Sequence, residues 1–234
     1  MVGMQPSATS KRTIMVAFIA VLVWTVAAEA TAGDLTGQVT ILDKSGRKPL
    51  KSSAQAIVYL EGPVKTHAGT VTLDQRSKEF IPRLLPVIIG QKVRFTNSDV
   101  FQHNVFSPHA QESFDLGRYG TGEAREIEFK EIGPHPIYCD IHQKMVADIF
   151  VVPNRYFALT DDKGRFRIAD VPPGTYQLRG WHILGGKTAQ KVEVARETVS
   201  IALSMQSTKL LREMEEHKNK EGRSYPPEFE FSDY

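Results

Sequence analysis

The sequence predicts an all-β protein, with length enough for two small domains or one large sandwich, and three observations carry that prediction. Short apolar or alternating runs recur at 35–42, 56–60, 70–73, 93–96, 126–129 and 148–152, with Gly, Pro, Asn and Asp between them. Strands at such spacing with turn residues between them indicate a β-sandwich or barrel. The same texture resumes over 155–206. The character changes only after residue 206, where 208–220 is rich in helix formers and carries Leu210, Leu211 and Met214 on one side.

Before the first strand, Lys11 and Arg12 precede an apolar run at 14–28, broken only by Thr25. Small residues follow in Ala28-Glu29-Ala30 and Ala30-Thr31-Ala32. A basic start, an apolar middle and an A-x-A end read as a secretory signal over 1–32, cleaved after Ala30 or Ala32. A membrane anchor would need about 20 apolar residues, more than this run offers. The expected location is therefore the periplasm or the cell exterior, with no membrane span after cleavage.

The run 35–42 alternates in part and ends in the turn Asp43-Lys44-Ser45-Gly46; the run 56–60 is closed by Glu61-Gly62-Pro63. Strands follow at 70–73 and, after a turn at Gly90, at 93–96. Pro82 and Pro86 argue against a central strand between these two, because proline cannot donate to a ladder. In the later stretch, turns at Thr160-Asp161-Asp162-Lys163-Gly164 and Val171-Pro172-Pro173-Gly174 separate short strands at 166–168 and 175–179, and further strands follow at 192–194 and 199–203. A short helix and a polar, mobile tail are expected over 207–234.

The chain of 234 residues has 29 basic and 27 acidic side chains. That near balance gives no concentrated basic face and so no case for nucleic acid. Its one cysteine, Cys139, excludes an intrachain disulfide, although a secretory compartment would permit one. An odd cysteine in a secreted chain is either buried and inert or put to use.

The segment Tyr138-Cys139-Asp140-Ile141-His142-Gln143-Lys144-Met145 supplies the use. It follows Gly133-Pro134-His135-Pro136 and precedes the strand at 148–152, so Cys139, His142 and Met145 share one tight loop between two strands. Upstream, Phe95-Thr96-Asn97-Ser98-Asp99-Val100-Phe101-Gln102-His103 ends a different strand region in a histidine. Two imidazoles, one thiolate and a weak axial thioether make the trigonal blue-copper donor set. The predicted metal ligands are thus His103, Cys139, His142 and Met145, for one copper ion. Zinc fits less well, because methionine is a rare zinc ligand. The bland alternative is a structural cysteine beside a surface histidine and a core methionine.

Residues 67–153 resemble the cupredoxins, in particular the plastocyanin- and amicyanin-like proteins labelled methylamine utilization proteins. The resemblance rests on Phe80-Ile81-Pro82, on Val87-Ile88-Ile89-Gly90-Gln91-Lys92-Val93, on Phe95-Thr96-Asn97-Ser98-Asp99, on His103-Asn104-Val105-Phe106-Ser107 and on the C-x-x-H-x-x-M spacing from Cys139 to Met145. Two places after Met145 the family usually has glycine and this chain has Ala147. The resemblance implies a Greek-key sandwich and one-electron transfer at a type 1 (blue) copper. It makes His142 the solvent-facing ligand and Tyr138 a second electron route. It also implies that the Asn104 backbone N–H faces the Cys139 sulfur while its side chain ties the two ligand loops together. The implied partner is a redox protein such as a c-type cytochrome or a periplasmic dehydrogenase.

The segment from Thr160 to Leu178 resembles the carboxypeptidase-regulatory, transthyretin-like sandwich, whose usual opening strands match Gly37-Gln38-Val39-Thr40-Ile41 and Ala56-Ile57-Val58-Tyr59-Leu60. The two parts lie on opposite sides of the copper segment. The resemblance therefore implies a split sandwich, 33–62 plus 155–206, with the copper domain 63–154 inserted. The alternative is two modules joined in series, with 35–61 belonging to the copper domain's sheet.

The other histidines form no H-x-H or His-Cys pair, which disfavours a multicopper enzyme. His109 and His135 are expected at the surface and His182 at a sandwich edge beside Trp181. Asn97 and Asp99 are expected to build a turn. The rival functions are a copper carrier or sensor and an extracytoplasmic interaction scaffold.

Overall fold

The structure, a computed structural model, describes residues 1, 3, 32–210 and 217–225. The expected signal segment lies almost wholly outside these residues, as does the middle of the expected C-terminal helix, 211–216. The described residues form sixteen strands and no helix, and no helix among them is long and apolar enough to cross a membrane. The described residues are all-β, as the alternating runs predict.

Two sheets are built from the two ends of the chain. In the first, β1 (Gly33–Leu42) lies between β13 (Arg165–Val171) and β16 (Val199–Gln206). It runs antiparallel to β13 and parallel to β16. In the second, β2 (Ala56–Glu61) lies between β12 (Phe157–Leu159) and β14 (Gly174–His182), and β15 (Lys187–Val194) pairs with β14. Leu35, Val39 and Ile41 of β1 meet Val58 and Leu60 of β2 and Leu178 of β14 in one apolar core. The two-residue spacing of these side chains puts one face of each strand inward.

Gly164 ties the later turn to the opening strand. Its φ of 76° is left-handed backbone, its carbonyl accepts the Val39 N–H at 2.8 Å, and its own N–H donates to Asp161 O at 2.8 Å. A Cβ here would strike the Val39 carbonyl, and a positive φ favours glycine for the same steric reason.

Residues 70–152 form two further sheets. One has the order β5 (Leu84–Ile88), β11 (Val146–Val152), β10 (Gly133–Tyr138), β7 (His103–Ser107), β8 (Phe114–Tyr119). The other has the order β4 (Glu79–Ile81), β3 (Thr70–Arg76), β6 (Lys92–Asn97), β9 (Ala124–Glu128). Pro86 does sit in a strand, but β5 is an edge strand paired only with β11, the place where a missing N–H costs least. In β6, Val93 and Phe95 are buried while Lys92 and Arg94 are exposed. They share a core with Leu73, Val105, Ile137 and Ile149.

All seven residues of β11 are buried, because the strand is covered on both faces. Ile149 and Val151 point into the core just described. Phe150 and Val152 join Ile57, Leu84 and Trp181 in a separate apolar seam. That seam joins the two pairs of sheets. Each large apolar side chain buried there stabilises the docking by roughly 1.5–3 kcal/mol.

Candidate metal centre

The sheet order brings three of the predicted ligands together, His103, Cys139 and His142. β7 and β10 are antiparallel neighbours, with Tyr138 opposite Phe106. The start of β7 and the end of β10 therefore lie at the same edge of the sheet. His103 opens β7, and the loop 139–145 leaves β10. The ligand atoms of His103, Cys139 and His142 all lie within 4.8 Å of one another. The two Nδ1 atoms are 3.0 Å apart, and Cys139 Sγ is 3.6 Å from His142 Nδ1. Among the described residues this is the one such group of three or more His, Cys, Asp or Glu donors.

Met145 is fully buried in the same apolar cluster as Cys139. The loop closes on itself, since Met145 N–H donates to His142 O at 3.1 Å and Cys139 N–H donates to Met145 O at 3.3 Å. His103 and Cys139 have no exposed surface either. His142 alone of the four is only partly buried.

Neighbouring residues orient these donors. Asn104 Oδ1 accepts the Asp140 N–H at 3.2 Å, while its Nδ2 donates to Asp115 at 2.6 Å. Its side chain thus ties the β7 end to the cysteine loop. Burial pushes the Cys139 thiol up, opposed by the N–H groups of Asn104, Ile141 and His142, which favour the thiolate. Asn97 builds the expected turn, accepting the Asp99 N–H at 2.9 Å and donating to Phe101 O.

Asp99 does more than build the turn. Its Oδ2 is 3.0 Å from His103 Nε2, and both groups are buried. Burial draws the Asp99 carboxyl upward, but the Lys78 and Val100 N–H groups and His103 outweigh it, and the net shift is downward. A proton on Nε2 would be held by this carboxylate, with Nδ1 turned to His142, an outer contact of the kind that orients metal-binding histidines. The spacing Asp99-x-x-x-His103 was the available sequence signal.

Of the two histidines expected at the surface, one is not there. His135 is fully buried and His109 partly so. Their rings are 4.3 Å apart, and Phe129 packs edge-on against His135. His135 and Ile137 are two residues apart in β10 and both are buried, so they share the inward face of the strand. His182 is buried too, with Nε2 3.1 Å from Ala54 O. Burial lowers the pKa of both His135 and His182. Unfolding then takes up protons below about pH 6.5, the ordinary histidine value, so stability is lost as pH falls from there toward the lowered folded values. One extra proton on the unfolded chain corresponds to about 1.4 kcal/mol per pH unit. The variant His135→Phe is expected to lose less stability than the parent between pH 7.5 and 5.5, measured by urea unfolding of the copper-free protein. Equal losses would show that His135 titrates alike in both states.

No family model matches the chain, and no curated protein matches it. Solved structures do resemble part of it. A copper-containing nitrite reductase from Thermus scotoductus SA-01 is 29% identical, with TM-score 0.34, over 36% of this chain; the match spans 22% of the reductase. A purple cupredoxin from Nitrosopumilus maritimus is 24% identical, with TM-score 0.32, over 35% of this chain and 98% of its own. Amicyanin from Paracoccus versutus is 21% identical, with TM-score 0.34, over 36% of this chain and 81% of its own.

Proposed function

We propose that the chain is a single-copper electron carrier of the type 1 kind, with the ion held by His103, Cys139, His142 and Met145. The observation that carries this reading is the 3.0 Å approach of the two Nδ1 atoms beside a buried thiol. Two imidazole nitrogens bound to one ion at about 2.0 Å lie about 3.3 Å apart, close to the spacing already present. Thiolate and thioether sulfur suit Cu(I), and imidazole suits both oxidation states.

Bound copper supplies the one-electron couple. The protein holds the donors nearly still. Asp99 fixes the ring of His103, and Asn104 fixes the loop that carries Cys139. Burial of three donors excludes water, and the partly exposed edge of His142 is the exit toward a redox protein. We extend the proposal to domain limits, a copper domain at 63–154 within a split sandwich of 33–62 and 155–206, supported by the pairing of β1 with β13 and β16. Periplasmic or secreted placement belongs to the same proposal.

The deciding experiment is the absorption and EPR spectrum of the copper-loaded protein. A strong visible band from the thiolate is expected; a colourless, fully copper-loaded protein would overturn the assignment. Met145→Gln is expected to retain copper and lower the reduction potential, because a harder oxygen donor favours Cu(II). Voltammetry of both proteins checks this, and an unchanged potential means that Met145 does not bind.

A further inference from the structure

A polar, mobile tail is expected after β16, but residues 217–225 lie against the loop that carries Cys139. The His217 ring stacks on the Tyr138 ring, with centroids 3.9 Å apart and planes 14° from parallel. His217 Nε2 is 2.8 Å from Gln143 O. Tyr225 OH donates to Cys139 O at 2.7 Å. The Lys220 Nζ is 2.9 Å from the Asp115 carboxylate, the same side chain that accepts from Asn104.

These contacts converge on one peptide unit. The Cys139 carbonyl and the Asp140 N–H belong to the same planar group. Tyr225 holds its oxygen, and Asn104 holds its N–H at 3.2 Å. The peptide directly after the cysteine is therefore pinned at both ends, once from β7 and once from the C-terminal segment. A pinned peptide restricts the backbone on which the Sγ atom is mounted. The stacked His217 also covers one face of Tyr138, so that side of the centre is closed by the protein itself.

We propose that His217 and Tyr225 are positioning residues of the metal centre, and that the segment 217–225 is a strap that fixes the Cys139 backbone and slows loss of the ion. This rests on the copper reading above. The strap acts on the protein's hold on the metal through the loop backbone.

Three full-length variants test it: Tyr225→Phe, which removes only the hydroxyl; Tyr225→Phe combined with His217→Ala; and His217→Phe, which keeps a stackable ring. A net hydrogen bond contributes about 1 kcal/mol, so copper capture by a strong Cu(I) chelator is expected to quicken about fivefold in Tyr225→Phe and more in the double variant. The visible and EPR spectra of the double variant are expected to shift, and His217→Phe to stay nearer the parent than the double variant. A lowered melting temperature with unchanged spectra and capture rate would reduce the strap to a structural clasp and overturn the proposal. Absence of the visible band in the parent protein would instead sink the copper reading, a separate failure.

Discussion

Replacing Cys139 by Ser is expected to abolish the visible band of the copper-loaded protein. The intense absorption requires a thiolate donor, and this is the chain's only cysteine. Two imidazoles remain, so the variant is expected to hold Cu(II) weakly and to show only faint colour. The Cys139 sulfur lies in an apolar cluster with Val105, Ile137 and Ile149. A buried serine hydroxyl there would meet the N–H groups of Asn104, Ile141 and His142, and its desolvation changes stability, so lost stability must be separated from lost ligation. Cys139→Ala serves that purpose, since it removes the ligand without burying a hydroxyl. Both variants are expected to keep the far-ultraviolet circular dichroism of the parent and to lack its band. Retention of the band in Cys139→Ala would show that the colour arises elsewhere.

The fragment 155–234 is expected to be largely unfolded by itself. Among the described residues, β13 and β16 both pair with β1 and not with each other, and β12 pairs with β2. Without residues 33–62 the fragment has lost the central strand of one sheet, and β12 is separated from β14 in the other. The pairing left to the fragment is the hairpin of β14 and β15, and an isolated hairpin is marginal in water. Adding a peptide of residues 33–62 is expected to restore dispersed amide resonances and a cooperative urea transition. The fragment 64–154 keeps both of its sheets and is expected to fold and bind copper. It lacks the strap, so it is expected to release copper faster than the full chain. Cooperative unfolding of 155–234 without the peptide would refute the interdependence of the two ends and leave the copper centre untouched.

By itself the sequence determined the strand texture and the four candidate donors. Alternation in a run such as 93–96 reports which face of a strand is apolar, and the C-x-x-H-x-x-M spacing places three donors on one loop whatever surrounds it. The split motif further suggested that the two ends of the chain belong together. What alternation lacks is the identity, direction and register of the partner strand. That β16 runs parallel to β1, with 35–42 beside 199–206, was decided by packing between segments far apart in sequence. The same reason hid the burial of His135, which depends on Phe129 and His109 closing over it. It also hid the strap. Nothing local marks His217 or Tyr225, and their role arises only because the tertiary fold brings residues 217–225 onto Tyr138 and the Cys139 carbonyl, where stacking and a single hydrogen bond become possible.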